Sequence, residues 1–178
     1  YSNRTSSWFS SYYNNSSLIV NSGNVRVGGL IETDNESNNN TSSFSLGDGS
    51  PYLFVGGATP FVPDGTGTST IILNGAGATV DYFRSGVQTV FNTSYRNLTL
   101  SGSGAKTIPS GVPLSGMLSL EATATVSGSA PSYGTASAIR YKGSAPQTTG
   151  IELIPLFSGD GGLIIDNAAG VNLASSFT

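Results

Sequence analysis

The sequence of 178 residues contains no cysteine and no histidine, and only 10% of its residues are charged. Without cysteine there is neither a disulfide framework nor a thiolate metal site. Because cysteine and histidine are both absent, the sequence excludes Ser-His-Asp and Cys-His nucleophile arrangements. It also excludes zinc sites built from imidazole or thiolate. These absences favour a protein that is not an enzyme and holds no metal or other cofactor.

Positive charge is scarce as well. The net charge is −3 and the seven Lys and Arg residues are scattered, whereas a nucleic-acid-binding face needs them clustered. No apolar run approaches the roughly 20 residues of a membrane-spanning helix. Nucleic-acid partners and a helical membrane span are therefore not expected.

Glycine is abundant, with 24 residues, and Ser, Thr and Asn make up much of the remainder. Short apolar runs recur between Gly, Asn and Ser turns, which is the pattern of many short strands. Low charge with this composition favours a secreted or surface-exposed protein. The chain begins at Tyr1 without an initiator Met or a charged-then-apolar leader, which predicts a processed product or a fragment.

The chain also repeats itself. Val80–Val90 matches Ile139–Thr149 at an offset of 59, and Leu98–Ile108 matches Leu163–Leu173 at an offset of 65. The six additional residues are expected to form a loop around Ile154–Gly159. This similarity predicts a solenoid over residues 18–178, with internal repeats at about 78–136 and 137–178.

A repeat of such short strands has a direct physical interpretation. A strand such as Leu98–Leu100 or Leu118–Leu120 sends alternate side chains inward and is too short to be stable without neighbours. Stacked coils bury a continuous thin core and pair each strand with the coils beside it. The prediction is an all-β, single-stranded parallel β-solenoid (a right-handed β-helix) with Gly/Asn turns. An antiparallel sandwich would also show short strands but does not require repetition.

Several segments of the sequence resemble those of a known protein family. Residues 77–90 and Tyr95–Ile108 resemble the repeat of the large repetitive β-solenoid surface proteins of Bacteroidetes, which are adhesin-like. Phe44–Gly57 resembles the coil that precedes that repeat, and Leu114–Val126 the coil that follows it. The resemblance implies a right-handed parallel solenoid, a cell-surface location and an adhesive or scaffolding role. It supplies no catalytic residue.

A carbohydrate-binding or carbohydrate-processing β-helix is the alternative, because carboxylate chemistry needs neither His nor Cys. A glycosidase requires two carboxyl groups facing one sugar bond. Asp48, Asp64 and Asp160 are isolated at predicted turns, and only residues 32–36 form a cluster, which is interpreted as a solvated loop. Convergence of carboxylates and aromatic rings on one groove would favour this alternative; their dispersal over the faces would favour a structural protein.

Two sequence patterns give weaker evidence for a bound ligand. Ser158–Asp166 is similar to the Gly/Asp repeat of calcium-binding β-rolls but has the wrong spacing, and Glu32, Asp34 and Glu36 offer oxygen ligands for a hard cation. Threonine ranks that could order ice occur at residues 66, 68 and 70 and at residues 123 and 125. Threonine is also simply a good strand residue, and these positions do not recur in every coil.

The N-terminal segment, residues 1–17, is rich in aromatic residues, Ser and Asn. It is expected either to cap the first coil or to pack on another subunit. The candidate assembly contacts are Tyr1, Trp8, Phe9, Tyr12, Tyr13 and Phe177. Because the second repeat stops before its last coil, an open end is expected there. The predicted partners are copies of the chain or further solenoid repeats, with surface glycans as additional ligands.

Overall fold

An apolar residue at every second position gives a short strand with one buried and one outer face. The computed structural model describes residues 15–35, 40–155 and 157–174, and these residues form eighteen strands and no helix. Parallel pairing from coil to coil builds a β-solenoid of about six turns. The prediction of an all-β solenoid is confirmed.

The strands in chain order are β1 Ser16–Val20, β2 Asn24–Val27, β3 Ile31–Thr33, β4 Thr41–Leu46, β5 Tyr52–Val55, β6 Phe61–Pro63, β7 Thr68–Ile72, β8 Thr79–Tyr82, β9 Gln88–Thr89, β10 Asn97–Leu100, β11 Ser103–Ile108, β12 Pro113–Leu114, β13 Met117–Gly128, β14 Ser132–Tyr133, β15 Ala138–Gly143, β16 Gln147–Thr148, β17 Gly162–Ile165 and β18 Val171–Asn172.

The largest sheet, sheet 1, contains one strand from each coil in the order β2–β5–β8–β10–β13–β15–β17. All of its pairings are parallel. Sheet 2 comprises β9, β11 and the second half of β13; β13 turns into it at Ala122, where φ is +52°. Sheet 3 comprises β1, β4 and β7. The pairs β3–β6, β12–β14 and β16–β18 complete the coils.

The core is a ladder of apolar side chains along the solenoid axis. In sheet 1, Leu53, Val80, Leu98, Leu118 and Ile139 lie in register and are fully buried. Each is covered above and below by the equivalent residue of the next coil. Within each strand, the side chains that alternate with these core residues point outward. These outward side chains form the candidate site described below.

The register explains the two sequence offsets. Strands of sheet 1 begin at residues 24, 52, 79, 97, 117, 138 and 162, so a coil holds 18 to 28 residues. The offset of 59 leads from β8 to β15 and the offset of 65 from β10 to β17, in both cases three strands further along the sheet. The additional six residues lie between β16 and β17, in the region where a loop was expected.

Gln88 and Gln147 are equivalent residues of the repeat, and their side chains have the same structural role. Both amides are buried in the interior just after a corner. Gln88 Oε1 accepts a hydrogen bond from Arg84 N at 3.2 Å, and Gln147 Oε1 accepts one from Gly143 N at 2.7 Å. Their Nε2 groups donate to main-chain oxygens of earlier coils. A buried amide that satisfies the main chain of two coils is a structural reason for repeating this residue.

Lys106 is a buried cation in the same layer. Its Nζ donates to the main-chain oxygens of Arg84 and Gly86 and to Gln88 Oε1. Desolvation lowers the pKa of this amine to about 8. Because its donors are taken up by the turn between β8 and β9, we assign Lys106 a structural role in holding that corner.

Three details differ from the sequence predictions. The first strand begins at Ser16, so the first coil starts slightly before residue 18. Glu32 lies in β3 rather than in a solvated loop, because Ile31 and Thr33 pair with β6. Thr66 precedes β7 and does not share a strand with Thr68.

One corner glycine is expected to be intolerant of a side chain. At Gly102 φ is +72°, and an added Cβ would lie 2.5 Å from Phe83 O and 2.7 Å from Arg84 O. At Gly111 φ is +78°, but nothing lies within 4 Å. Gly111→Ala should therefore lose about 1 kcal/mol of unfolding free energy from backbone strain alone, and Gly102→Ala about 3 kcal/mol because the clash adds to that strain. Urea unfolding of both variants measures the difference; equal losses would contradict the packing described for this corner.

Candidate functional site

The outer surface of sheet 1 carries two groups of side chains that together we call the aromatic–polar face. Its aromatic half consists of Tyr52 and Phe54 of β5 with Phe83, which follows β8. The Tyr52 and Phe54 rings are 4.4 Å apart, and the Phe54 and Phe83 rings meet edge to face at 6.4 Å. The Arg26 guanidinium carbon lies 3.8 Å from the centroid of the Phe83 ring, within cation–π distance. Three neighbouring rings thus form one apolar surface with a cation over one end.

The polar half begins with Asp81, Thr99 and Ser119, which lie side by side on β8, β10 and β13. They point away from the core because their neighbours in sequence point into it. Nevertheless Asp81 is only 5% exposed and Ser119 only 2%. Thr99, two strands away from β5, lies close enough to the Tyr52 hydroxyl to interact with it, so this side chain extends over the row. The row is therefore covered by side chains of the face itself.

The carboxyl group of Asp81 has a raised pKa. Its Oδ1 accepts a hydrogen bond from Ser101 Oγ at 2.7 Å. Burial raises the pKa of Asp81 to about 6, although the Ser101 hydrogen bond opposes the shift. Glu121 raises it further, whereas Lys106 and Arg26 lower it. This carboxyl group therefore changes its charge near neutral pH.

The second carboxylate, Glu121, is paired with cations. Arg140 Nη2 lies 3.0 Å from Glu121 Oε1, and Lys142 Nζ lies 3.8 Å from the same oxygen. Ser119 Oγ donates to Glu121 at 3.0 Å and accepts from Arg140 Nε at 3.1 Å. Because Arg140 is held at two points, it presents its guanidinium in a fixed orientation at the surface.

This arrangement is better suited to binding than to catalysis. A carboxyl group with a raised pKa beside a second carboxylate is the combination that glycoside hydrolysis uses. Asp81, however, is covered and its Oδ1 is already bonded to Ser101, while Glu121 is engaged by Arg140 and Lys142. The rings, Arg140 and the outer edge of Glu121 are the parts that a ligand can contact.

The ends of the solenoid form the second candidate feature. At the N-terminal end, the interior opens into a cavity of about 350 Å³. Its lining is mainly apolar and includes Leu18, Val20, Val25, Val27, Leu30, Ile31 and Phe44. The cavity borders β1 and β2, which are the first strands of the described residues, so it lies at the N-terminal end of the described core.

At the other end, β17 leaves core positions uncovered. Leu163 and Ile165 continue the ladder of Ile139 and Tyr141, but they are 43% and 51% exposed. Within the described ranges, β17 pairs with β15 alone. Apolar side chains and an unpaired strand edge thus coincide at this end.

The candidate assembly contacts Tyr1, Trp8, Phe9, Tyr12, Tyr13 and Phe177 lie outside the described residues, as does Glu36. Of the acidic cluster, Glu32 and Asp34 are described, and both line the N-terminal cavity. Thr123 and Thr125 are exposed on β13. In the part of the chain that is described, no group of three or more acidic residues is placed to hold a metal ion, and no helix is long and apolar enough to cross a membrane.

The aromatic–polar face was not anticipated from the sequence. The local signal is present, since Tyr52 and Phe54, and likewise Asp81 and Phe83, are two residues apart, and each pair flanks a buried residue, Leu53 or Tyr82. What the sequence does not show is that β8, β10, β13 and β15 place Asp81, Glu121 and Arg140 on one surface, because that depends on coil lengths that vary.

Comparison with known proteins gives no relative: no family model, no curated protein and no solved structure matches this chain.

Proposed function

We propose that this chain is a non-enzymatic, extracellular structural or adhesive β-solenoid that stacks end to end with copies of itself. The observation that carries the proposal is the C-terminal face of β17, where core side chains are exposed beside a strand edge that no other strand of the described residues pairs with. The low charge and the Ser, Thr and Asn content support an extracellular setting.

The physical argument rests on continuity of the stack. Every strand of sheet 1 except the outermost two is paired on both sides. A second copy whose N-terminal coil meets β17 would extend the backbone pairing and cover Leu163 and Ile165. It would also close the cavity beside β1 and β2. Such a contact joins two different surfaces, so it produces a filament when it does not close on itself.

The test uses two neighbouring isoleucines of the same strand. Ile165 continues the core ladder, whereas Ile164 lies in register with Arg140 on the outer surface. Ile165→Asp would place a carboxylate inside the stack and should weaken association by about a hundredfold or more. Ile164→Asp adds the same charge outside the stack and should leave association nearly unchanged. Sedimentation velocity over a range of concentrations measures both, and thermal melting checks that both variants fold.

Equal association of the two variants would contradict stacking through β17. A chain that sediments only as a monomer at every concentration would contradict self-assembly altogether.

A further inference from the structure

We propose that the aromatic–polar face of sheet 1 binds a neutral oligosaccharide. The inference deepens the adhesive role proposed above and rests on it, but it does not depend on end-to-end stacking. The face extends over the strands from β5 to β15, a distance of about 19 Å at the usual strand spacing. That length accommodates several sugar rings in a row.

The aromatic half supplies the apolar contact. Sugar rings present C–H surfaces that pack on aromatic rings, and Tyr52, Phe54 and Phe83 form one such surface. Tyr52 is held by the contact of its ring with Phe54, and its hydroxyl lies close to Thr99. A fixed ring loses little conformational freedom on binding, which favours affinity.

The polar half supplies donors and acceptors side by side. A sugar hydroxyl both donates and accepts, so it matches a surface that offers a guanidinium and a carboxylate together. Arg140 and Glu121 are joined at 3.0 Å and are each only about one-quarter exposed. Glu121 Oε2 and Arg140 Nη1 take part in none of the contacts found among the described residues, so they remain available to a ligand.

The charge of the face selects against other ligands. Arg26, Arg140 and Lys142 are partly offset by Asp81 and Glu121, so the face carries one net positive charge when both carboxyl groups are ionised. A nucleic acid or another polyanion would meet the Glu121 carboxylate in the middle of its path, with the covered Asp81 carboxyl group close beside it. A neutral saccharide brings no charge that the face would have to match, and it uses the aromatic and the polar halves alike.

The experiment is isothermal titration of the complete chain with four hexasaccharides: cellohexaose, xylohexaose, mannohexaose and, as the acidic probe, hexagalacturonate. Binding of at least one neutral probe is expected. Tyr52→Ala and Arg140→Gln should each weaken it by about tenfold or more, through loss of the ring and of a charged donor respectively. Arg96→Gln is the matched control, because Arg96 lies at a different corner and donates only to Ser115 O among the contacts described for its side chain.

Three results would overturn the inference: no neutral probe binds at millimolar concentration, hexagalacturonate binds more tightly than every neutral probe, or Arg96→Gln weakens binding as much as Arg140→Gln. The Ile165→Asp variant distinguishes failure of the saccharide proposal from failure of the stacking proposal. If the site is real, that variant binds the saccharide with unchanged affinity whether or not it stacks.

Discussion

Ile139→Ala should lower the free energy of unfolding by about 2–5 kcal/mol, the usual range when a large aliphatic core residue is truncated. Ile139 is fully buried and lies between Leu118 and Leu163 in the ladder of sheet 1. A solenoid core is only one side-chain layer deep at each coil, so its neighbours have little freedom to close the cavity. Urea unfolding monitored by circular dichroism measures the loss.

Ile72→Ala provides the matched control, because Ile72 is also in a strand but is 47% exposed on sheet 3. It should cost less than about 1 kcal/mol, as expected for a surface change. Similar losses for the two variants would contradict the inward and outward assignment of the strand residues.

Asp81→Asn should change how stability depends on pH. The folded-state pKa of Asp81, about 6, lies above the ordinary value of 3.8. Between these values the folded chain holds a proton that the unfolded chain has released, so the free energy of unfolding falls as the pH rises through this window. The full effect is about 3 kcal/mol. Asn cannot ionise but still accepts the Ser101 hydrogen bond, so the variant should lose this fall in stability.

The comparison requires unfolding curves at pH 4, 5, 6 and 7 for the wild type and two variants. Asp160→Asn serves as the control, since it removes one carboxyl group from an exposed loop. Between pH 4 and pH 7, the free energy of unfolding should fall by about 2 kcal/mol less in Asp81→Asn than in the wild type, because the unfolded-state carboxyl group is already partly ionised at pH 4. If the free energy of unfolding depends on pH in the same way in Asp81→Asn and in the wild type, burial does not raise the pKa of the Asp81 carboxyl group.

Much of the fold could be predicted because its determinants are local. The alternation in Leu98–Leu100 and Leu118–Leu120 gives the inward direction of these strands, and the matches at offsets of 59 and 65 give the stacking. Gln88 and Gln147 make the offset visible because each satisfies the backbone of its own corner. The six additional residues fall in a loop because a loop can absorb them without disturbing the pairing of β15 with β17.

The candidate site could not be predicted in the same way. Asp81 and Glu121 are 40 positions apart, and they share a surface only because the intervening coils are 18 and 20 residues long as measured between strand starts. A change of one residue in a strand's register would turn either side chain into the core. Likewise, Glu32 looks like part of a polar loop in sequence, but Phe61 and Pro63 hold its strand in place.

The most direct test of the central proposal is electron microscopy of the purified chain without added ligand, together with a variant that lacks residues 1–14. End-to-end stacking predicts filaments in which each subunit adds about 33 Å, the height of seven strands at the usual spacing. If Tyr1, Trp8, Phe9, Tyr12 and Tyr13 are assembly contacts, the shortened chain should give isolated particles. Isolated particles from the complete chain at high concentration would contradict self-assembly, and undiminished filaments from the shortened chain would reject the N-terminal segment as the assembly contact.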